Sequence, residues 1–504
     1  MKPASLDDRP PEAPDPAQTP GSERYLLSHL GWLAWAERIA RRAERRVPAY
    51  REFVAPRERH RTFKERPVTS KESYILRFPA SQVLAEDQRN VFAIFRSSGA
   101  SGRAMYWPYL RFPARYAGWN MQYFLEYCFA IRHKKTLAIV ADALGSWMGG
   151  DELPWVLKCV SMRVRYHFSV ITPGNNQPET IEIINDLEPR VDQIILFLCP
   201  SYVPYLQLQA ESMGKRLPLD KLRYLVFGEP IPESLRMRLQ ADAGVPPHEP
   251  FMLSLYASAD TGMLGVESPA SVALRKLLTL NEELASELGF SQPIPHLFHY
   301  AAPDAYLETL GGELCVTRWQ GVPIVRYNLH DRARLYRWRA LREAVLKSNS
   351  IAAADEPWRE VIRKSPRIFS DLIALEGRSD ALIFGGSNFS AAMLDEVVHA
   401  PALQSVLSGM YKVRAGWRGS RQVLEWDLEL RPGTTVDAAN SGRVYDGLIQ
   451  GLCRVQSGFR NNWGNMYAAF DSDPARRILE LRWHPWPQLS RELDTRPKRS
   501  TILD

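Results

Sequence analysis

The chain reads as an α/β protein: a large N-terminal domain of mostly parallel sheets flanked by helices, followed by a small C-terminal α+β domain. Three observations predict this. From Thr136 onward, short apolar runs alternate with helix-patterned segments, the β-α-β-α rhythm of a parallel sheet with helices on its faces. A chain of 504 residues with 45% hydrophobic content can bury more than one core. After Arg332 the pattern loosens, and a new strand-bearing unit begins near Gly377. The expected organisation is a disordered tail over 1–23, a large domain over 24–377 and a small one over 378–504.

In chain order, MKPASLDDRPPEAPDPAQTPGSE is Pro-rich and acidic and lacks an apolar h-region, so it reads as a disordered tail and not as a signal peptide. Leu27–Arg46 has apolar residues at helical spacing and arginines on the other face. That pattern suits a helix capping the large domain; a basic amphipathic helix on a membrane surface is the alternative. The run VFAIF, Val91–Phe95, is β-like. Thr136–Val140, Gln193–Leu198, Tyr224–Gly228 and Phe251–Tyr256 are strand-like. Between them ETIEIINDL, SYVPYLQLQAESMG and PESLRMRLQADAG are helix-like, the last stopped by Gly244. Arg339–Arg367 is charged and reads as an insertion or a partly ordered connection. Val423–Gly433 and Ile478–Pro485 are the strand-like runs of the small domain.

Composition narrows the function classes. A net charge of +7 suits polyanionic ligands, but no Lys/Arg run with interleaved aromatics forms a groove-like stripe, so nucleic-acid binding is not expected. The five cysteines are scattered singly with no C-x-x-C pair, which argues against a zinc ribbon or a disulfide framework. No apolar run approaches the length of a membrane span. A cytoplasmic protein with reduced thiols is the expectation.

The most informative stretch is FRSSGASGRAMYW, Phe95–Trp107. Gly99 and Gly102 let the backbone bend where a Cβ would clash. Ser97, Ser98 and Ser101 bring hydroxyls, and successive backbone N–H groups in such a loop form an anion-binding concavity. No Gly-Lys-Ser/Thr closes it, so it is not a Walker loop. A Ser/Gly hairpin turn would look the same. Four later segments give it meaning. VFGEPIPESLR spans Val226–Arg236 and LSLYASADTG spans Leu253–Gly262; GGELCVT leads into GVPIVRYNLHDR, ending at Arg332; GRSDALIFGGSNF spans Gly377–Phe389. In this order they resemble the acyl-adenylate-forming superfamily, and the phenylacetate–CoA ligase-like branch most, from about Arg46 to the C-terminus. VPAYREF, PVTSKESYI, LGSWMGG and ITPGNNQPE are the branch-like features.

The resemblance implies ATP and Mg²⁺ as cofactors, a hinge between the two domains, and a role for each motif residue. Ser97, Ser98, Gly99, Ser101 and Gly102 would embrace the β- and γ-phosphates, with Arg103 where many relatives carry a lysine. Gly228, Glu229 and Pro230 would line the adenine and Tyr256 would stack on it. Asp260, in the place of a glutamate, would hold Mg²⁺, and Thr261 would bond the α-phosphate. Asp331 would accept from the ribose hydroxyls. His330 beside it replaces the family's glycine, so a changed local backbone is expected. Arg326 stands between phosphate contact and structural ion pair. Arg378 would contact the nucleotide, Asp380 would be the hinge, and Lys498 would neutralise charge during adenylation, with Arg496 and Arg499 as rivals.

No Ser-His-Asp or Cys-His arrangement can be assembled from spacing, and none is needed, because the first nucleophile is the substrate's own carboxylate. The implied activity is ATP-dependent activation of an aromatic or arylacetic acid to an acyl-adenylate with release of pyrophosphate, then transfer to coenzyme A. An adenylating enzyme that passes its acyl group to an amine or a carrier protein is one alternative. A degenerate nucleotide-binding relative is another, raised by Ala100, Asp260, His330 and the missing lysine. Residues near Trp147, Met148 and Gly149 would line the acyl pocket. The sequence assigns neither the acid nor the oligomeric state.

Overall fold

The computed structural model describes residues 29–55, 62–85, 90–97, 105–146, 148–300, 305–366, 371–378 and 381–490. They pack as two compact units, one drawn from 1–91 and 263–376, the other from 92–262 and 377–504.

Five parallel strands form the centre of the second unit. Their spatial order is Met252–Ser258, Leu222–Val226, Gln193–Leu198, Thr136–Val140, Phe168–Ile171. QIILFL and TLAIV are buried at every position, the unbroken apolar reading of strands covered on both faces. Helices Met148–Arg163, Gln177–Leu187, Tyr202–Ser212 and Glu233–Asp242 supply the crossovers. The last ends as its sequence predicts: Gly244 takes φ +65 and the Val245 N–H returns to the Gln240 carbonyl at 3.1 Å. The Phe168–Ile171 strand was not expected. It is four residues long and lies at the sheet edge, too short to show a period.

The order of these strands creates a switch point. The chain leaves Thr136–Val140 towards the edge strand Phe168–Ile171, then crosses back to pair Gln193–Leu198 on the other side. Connections therefore diverge at the carboxyl ends of these two neighbours, where open α/β sheets form their ligand crevice.

The same unit carries the α+β part. A hairpin of Ala381–Phe384 and Ser387–Ser390 leads into helix Ala391–Val398. Three strands follow in the order Leu407–Arg418, Arg421–Leu430, Leu479–His484, the middle one antiparallel to the first and parallel to the last. Helix Ala438–Val455 lies between the second and third in sequence. Leu407–Arg418 was not singled out from sequence, although Tyr411, Val413, Ala415 and Trp417 alternate with Lys412, Arg414, Gly416 and Arg418, the period of a strand. One apolar core joins Leu196, Leu198 and Tyr205 of the parallel layer to Phe384, Leu394, Trp426 and Tyr467 of the α+β part.

The first unit differs. Its strands run Ala305–Leu310, Glu313–Arg318, Ile324–Tyr336, Leu372–Arg378, His296–Tyr300, Gly262–Val266, and the pairings with defined register are antiparallel. The expectation of mostly parallel sheets therefore holds in the second unit and not here. For Ala305–Leu310 and Glu313–Arg318 the reason is connection length: Gly311 and Gly312, at φ +60 and +85, turn one strand directly into the next, whereas a parallel pair needs a long crossover. Helix His29–Arg46 buries Ala36, Ile39, Ala40 and Ala43, and Glu37 and Glu44 hold the buried Arg66, so the capping reading is the one found. The charged stretch expected as an insertion or loose connection is, over 338–364, chiefly two helices, Trp338–Lys347 and Glu356–Lys364. Their Trp338, Leu341, Val345 and Ile362 share a core with Leu274 and Leu277.

On the three-stranded sheet one carboxylate serves three arginines. Glu425, 3% exposed, accepts from Arg414 Nε at 2.8 Å, from Arg482 at 2.9 Å and from Arg418. Glu425→Ala is expected to cost about 2–3 kcal/mol in urea unfolding, since bonds to charged groups contribute ~1.5–3 kcal/mol. Removing the more exposed partner Glu480 should cost under ~1 kcal/mol. Equal effects would show that the three guanidinium groups are simply solvated.

Candidate active site

The expected site residues of the second unit stand at strand ends. Strands Val91–Arg96 and Tyr106–Leu110 pair, and Ser97 closes the gap between them: its N–H donates to the Met105 carbonyl at 2.9 Å, and its buried Oγ accepts from Met105 N–H at 3.0 Å. Ser98, Gly99, Ser101, Gly102 and Arg103 lie outside the described residues, as do Trp147, Asp380 and Lys498.

Gly228, Glu229 and Pro230 follow the Leu222–Val226 strand and split into two roles. Gly228, at φ +88, and Pro230 are exposed, whereas the Glu229 side chain turns inward. Its Oε1 accepts from Ser201 N–H at 2.7 Å and its Oε2 from Gly386 N–H at 3.0 Å. Burial pushes this carboxyl above its ordinary range against the pull of those bonds. On the next strand Tyr256 is buried, Asp260 half-buried and Thr261 fully buried. Thr261 Oγ1 lies 2.9 Å from Ser258 Oγ and donates to the Gly262 carbonyl at 3.3 Å, so in this conformation the hydroxyl serves its own turn.

Sequence reasoning passed over Asp142. It follows the Thr136–Val140 strand directly, at the switch point, in the position GEP and SAD take on their strands. That rule would have found it. Gly149 packs beside it: a Cβ there would sit in ordinary contact, 3.8 Å from Asp142 Oδ2 and 3.4 Å from the Phe227 ring. Burial pushes Asp142 up to about 7; a bond from the Ala143 backbone pulls against this, and the Glu229 charge adds to it. Cys199, on the neighbouring strand end, is likewise pushed up by burial.

In the first unit the RYNLHDR segment is one strand, Ile324–Tyr336, with two left-handed residues. Arg326 has φ +48 and is nearly buried. Its Nε donates to Glu308 at 2.8 Å, its Nη1 to the carbonyls of Lys64 and Arg66 at 2.5 and 2.6 Å, and its plane approaches the Phe63 ring. The structural alternative for Arg326 is the one found. His330 has φ +57, the left-handed region that glycine favours. Its N–H donates to Asn328 Oδ1 at 2.8 Å and its ring lies between Glu72 and Glu313, at 3.7 and 3.6 Å. Asp331 beside it is 6% exposed. Arg378 ends the Leu372–Arg378 strand, half-buried.

No family model and no curated protein matches the chain. Solved structures do. The chain is similar to 2-hydroxyisobutyryl-CoA ligase in complex with 2-HIB-AMP and CoA in the thioesterification state, at TM-score 0.59 and 13% identity over 94% of this chain and 89% of that one. Matches at lower TM-score include o-succinylbenzoate CoA synthetase from Bacillus subtilis (0.36; 14% identity; 72% of this chain, 63% of that one). Amide bond synthetase McbA from Marinactinospora thermotolerans is another (0.34; 12%; 79% and 66%). At 13% identity the likeness is one of architecture: the chain shares the fold of 2-hydroxyisobutyryl-CoA ligase. Among the described residues no helix is long and apolar enough to cross a membrane.

The raised Asp142 carboxyl has a signed consequence. Its folded value, about 7, lies above the ordinary 3.8, so the folded chain holds a proton that the unfolded chain releases. The resulting stability is complete below about pH 4 and lost as pH rises through about 7. Asp142→Asn cannot release that proton, so its melting temperature should gain on the parent's steadily between pH 4 and 7 and hold that gain above. Parallel melting curves across this range would show Asp142 to be an ordinary solvated carboxylate.

Proposed function

We propose that the chain uses ATP to activate a carboxylic acid, aromatic or arylacetic, as an acyl-adenylate, and then transfers the acyl group to coenzyme A. The observation that carries this reading is placement. GEP and SAD stand directly behind neighbouring parallel strands, at the edge where such sheets bind ligands, in a chain that shares the fold of 2-hydroxyisobutyryl-CoA ligase.

In this reading the substrate carboxylate attacks the α-phosphorus, the bond to the β-phosphate oxygen breaks, and pyrophosphate leaves. A thiol then attacks the acyl carbon, loses its proton, and AMP departs. The work of the protein is positioning and charge neutralisation. The loop from Ser97 to Arg103 holds the β- and γ-phosphates, the exposed Gly228 and Pro230 face the adenine, Tyr256 stacks on it, Asp331 takes the ribose hydroxyls, and Arg378 and Thr261 reach the phosphates. Lys498 supplies a cation to the developing charge, and rotation of 378–504 about Asp380 exchanges the two half-reactions.

Asp260 fits Mg²⁺. It is a half-buried carboxylate at a strand end, and Mg²⁺ bound through phosphates takes only one or two carboxylates and keeps its waters. Among the described residues no cluster of three or more ligating side chains forms a protein-only metal cage. Bound there, the ion supplies positive charge to the phosphates.

The test is carboxylate-dependent exchange between ATP and labelled pyrophosphate, run across aromatic, arylacetic and aliphatic acids. Exchange with none of them contradicts the reading. Coenzyme A-dependent release of AMP then separates a thiol acceptor from an amine or carrier protein. Asp331→Ala should weaken ATP binding about ten- to a hundredfold, the worth of hydrogen bonds to a charged group. Calorimetry giving the parental affinity would remove the ribose assignment.

A further inference from the structure

The turn between Ala381–Phe384 and Ser387–Ser390 consists of Gly385 and Gly386, at φ +54 and +69, the geometry of a two-residue hairpin. It is held far more firmly than an ordinary hairpin tip. The Gly385 N–H donates to Gln422 Oε1 at 2.8 Å, and its carbonyl accepts from Asn462 Nδ2 at 2.8 Å. The Gly386 N–H donates to Glu229 Oε2 at 3.0 Å. Asn462, 4% exposed, in turn accepts from the Tyr202 hydroxyl at 2.7 Å. Beneath the turn lies Cys199. A Cβ on Gly386 would come within 2.6 Å of its Sγ, and a Cβ on Gly228 within 3.1 Å of the same sulfur and 3.6 Å of Gly386 Cα. Two glycine backbones and a thiol thus make the contact between the 228–230 segment and the turn.

Glu229 is the carboxylate in this contact. Its backbone donors are Ser201 in its own layer and Gly386 across in the α+β part, and the Ser201 and Gln422 side chains also pull its carboxyl down. We propose that Glu229 is a positioning residue whose carboxylate is the docking point for the Gly385–Gly386 turn, holding the α+β part against the ligand-binding end of the parallel sheet. The role differs from the adenine-lining one expected of it. Gly228 and Pro230 remain exposed towards a ligand while Glu229 is committed to the turn, so a ligand seated on that backbone acts directly on the docking point.

Hydrogen–deuterium exchange on the full chain tests this. In Glu229→Gln the amide turns an NH₂ towards one of the two N–H donors and loses that bond. Exchange over 381–390 should accelerate about tenfold or more, while Gln193–Leu198 and Leu222–Val226 keep their protection. Unchanged protection over 381–390, or equal acceleration in all three segments, would overturn the proposal. A second pair of variants does not depend on the folding of the first. Gly386→Ala should expose 381–390 in the same way, and adding Cys199→Ala should restore part of the protection by making room for the new methyl. Two merely destabilising changes would add, so lower protection in the double variant than in Gly386→Ala also contradicts the proposal. None of these readouts needs turnover; a failed pyrophosphate exchange in the parent would end the catalytic reading and leave this one standing.

Discussion

A carboxylate taken out of water must be met by donors or give up its charge, and this constraint organises the second unit around Glu229. The residue stands where a parallel strand ends, so its own layer offers few free N–H groups. One comes from Ser201, at the start of the neighbouring helix, and the other from Gly386, more than a hundred and fifty residues on. For that second donor to arrive, the hairpin tip must be backbone alone. Two left-handed glycines and the closely fitted Cys199 follow from this requirement. The common apolar core beneath, from Leu196 to Tyr467, gives the docking its area, and the carboxylate fixes its register.

The same strand ends carry the proposed chemistry. The switch point between Thr136–Val140 and Gln193–Leu198 opens the crevice and puts Asp142 on one side and Cys199 on the other. Burial raises the Asp142 carboxyl and the Glu229 charge adds to that rise. Thr261 and Ser97 spend hydroxyl capacity on their own turns. A ligand at this edge meets backbone at Gly228 and Pro230 and a half-buried carboxylate at Asp260.

The parallel strands were legible because each is an unbroken apolar run between helix-patterned segments; boundaries moved by one or two residues, as with Tyr224–Gly228 against Leu222–Val226. The antiparallel sheet was not: Gly262–Val266 and His296–Tyr300 are too short to show a period, and Ala305–Leu310 turns directly into Glu313–Arg318. Arg339–Arg367 read as loose for the opposite reason: abundant charge masks a narrow apolar stripe of Trp338, Leu341, Val345 and Ile362. Motif order singled out GEP and SAD, which stand behind neighbouring parallel strands, and RYNLHDR, which lies along one strand of the first unit. At Glu229 sequence alone does not separate a side chain facing a ligand from one bonded to backbone amides; here it accepts from Ser201 and Gly386 N–H. At His330 the Asn328 Oδ1 accepts from the backbone N–H and supports the left-handed conformation, a local bond that spacing alone does not reveal.

The central claim is that the ends of the parallel strands form a nucleotide site. Photoaffinity labelling with 8-azido-ATP in the presence of Mg²⁺, followed by peptide mapping, tests it most directly. The account predicts a label confined to peptides containing Gly228–Pro230 or Tyr256–Thr261 and abolished by excess ATP. Labelling elsewhere, or labelling that ATP does not displace, would contradict it.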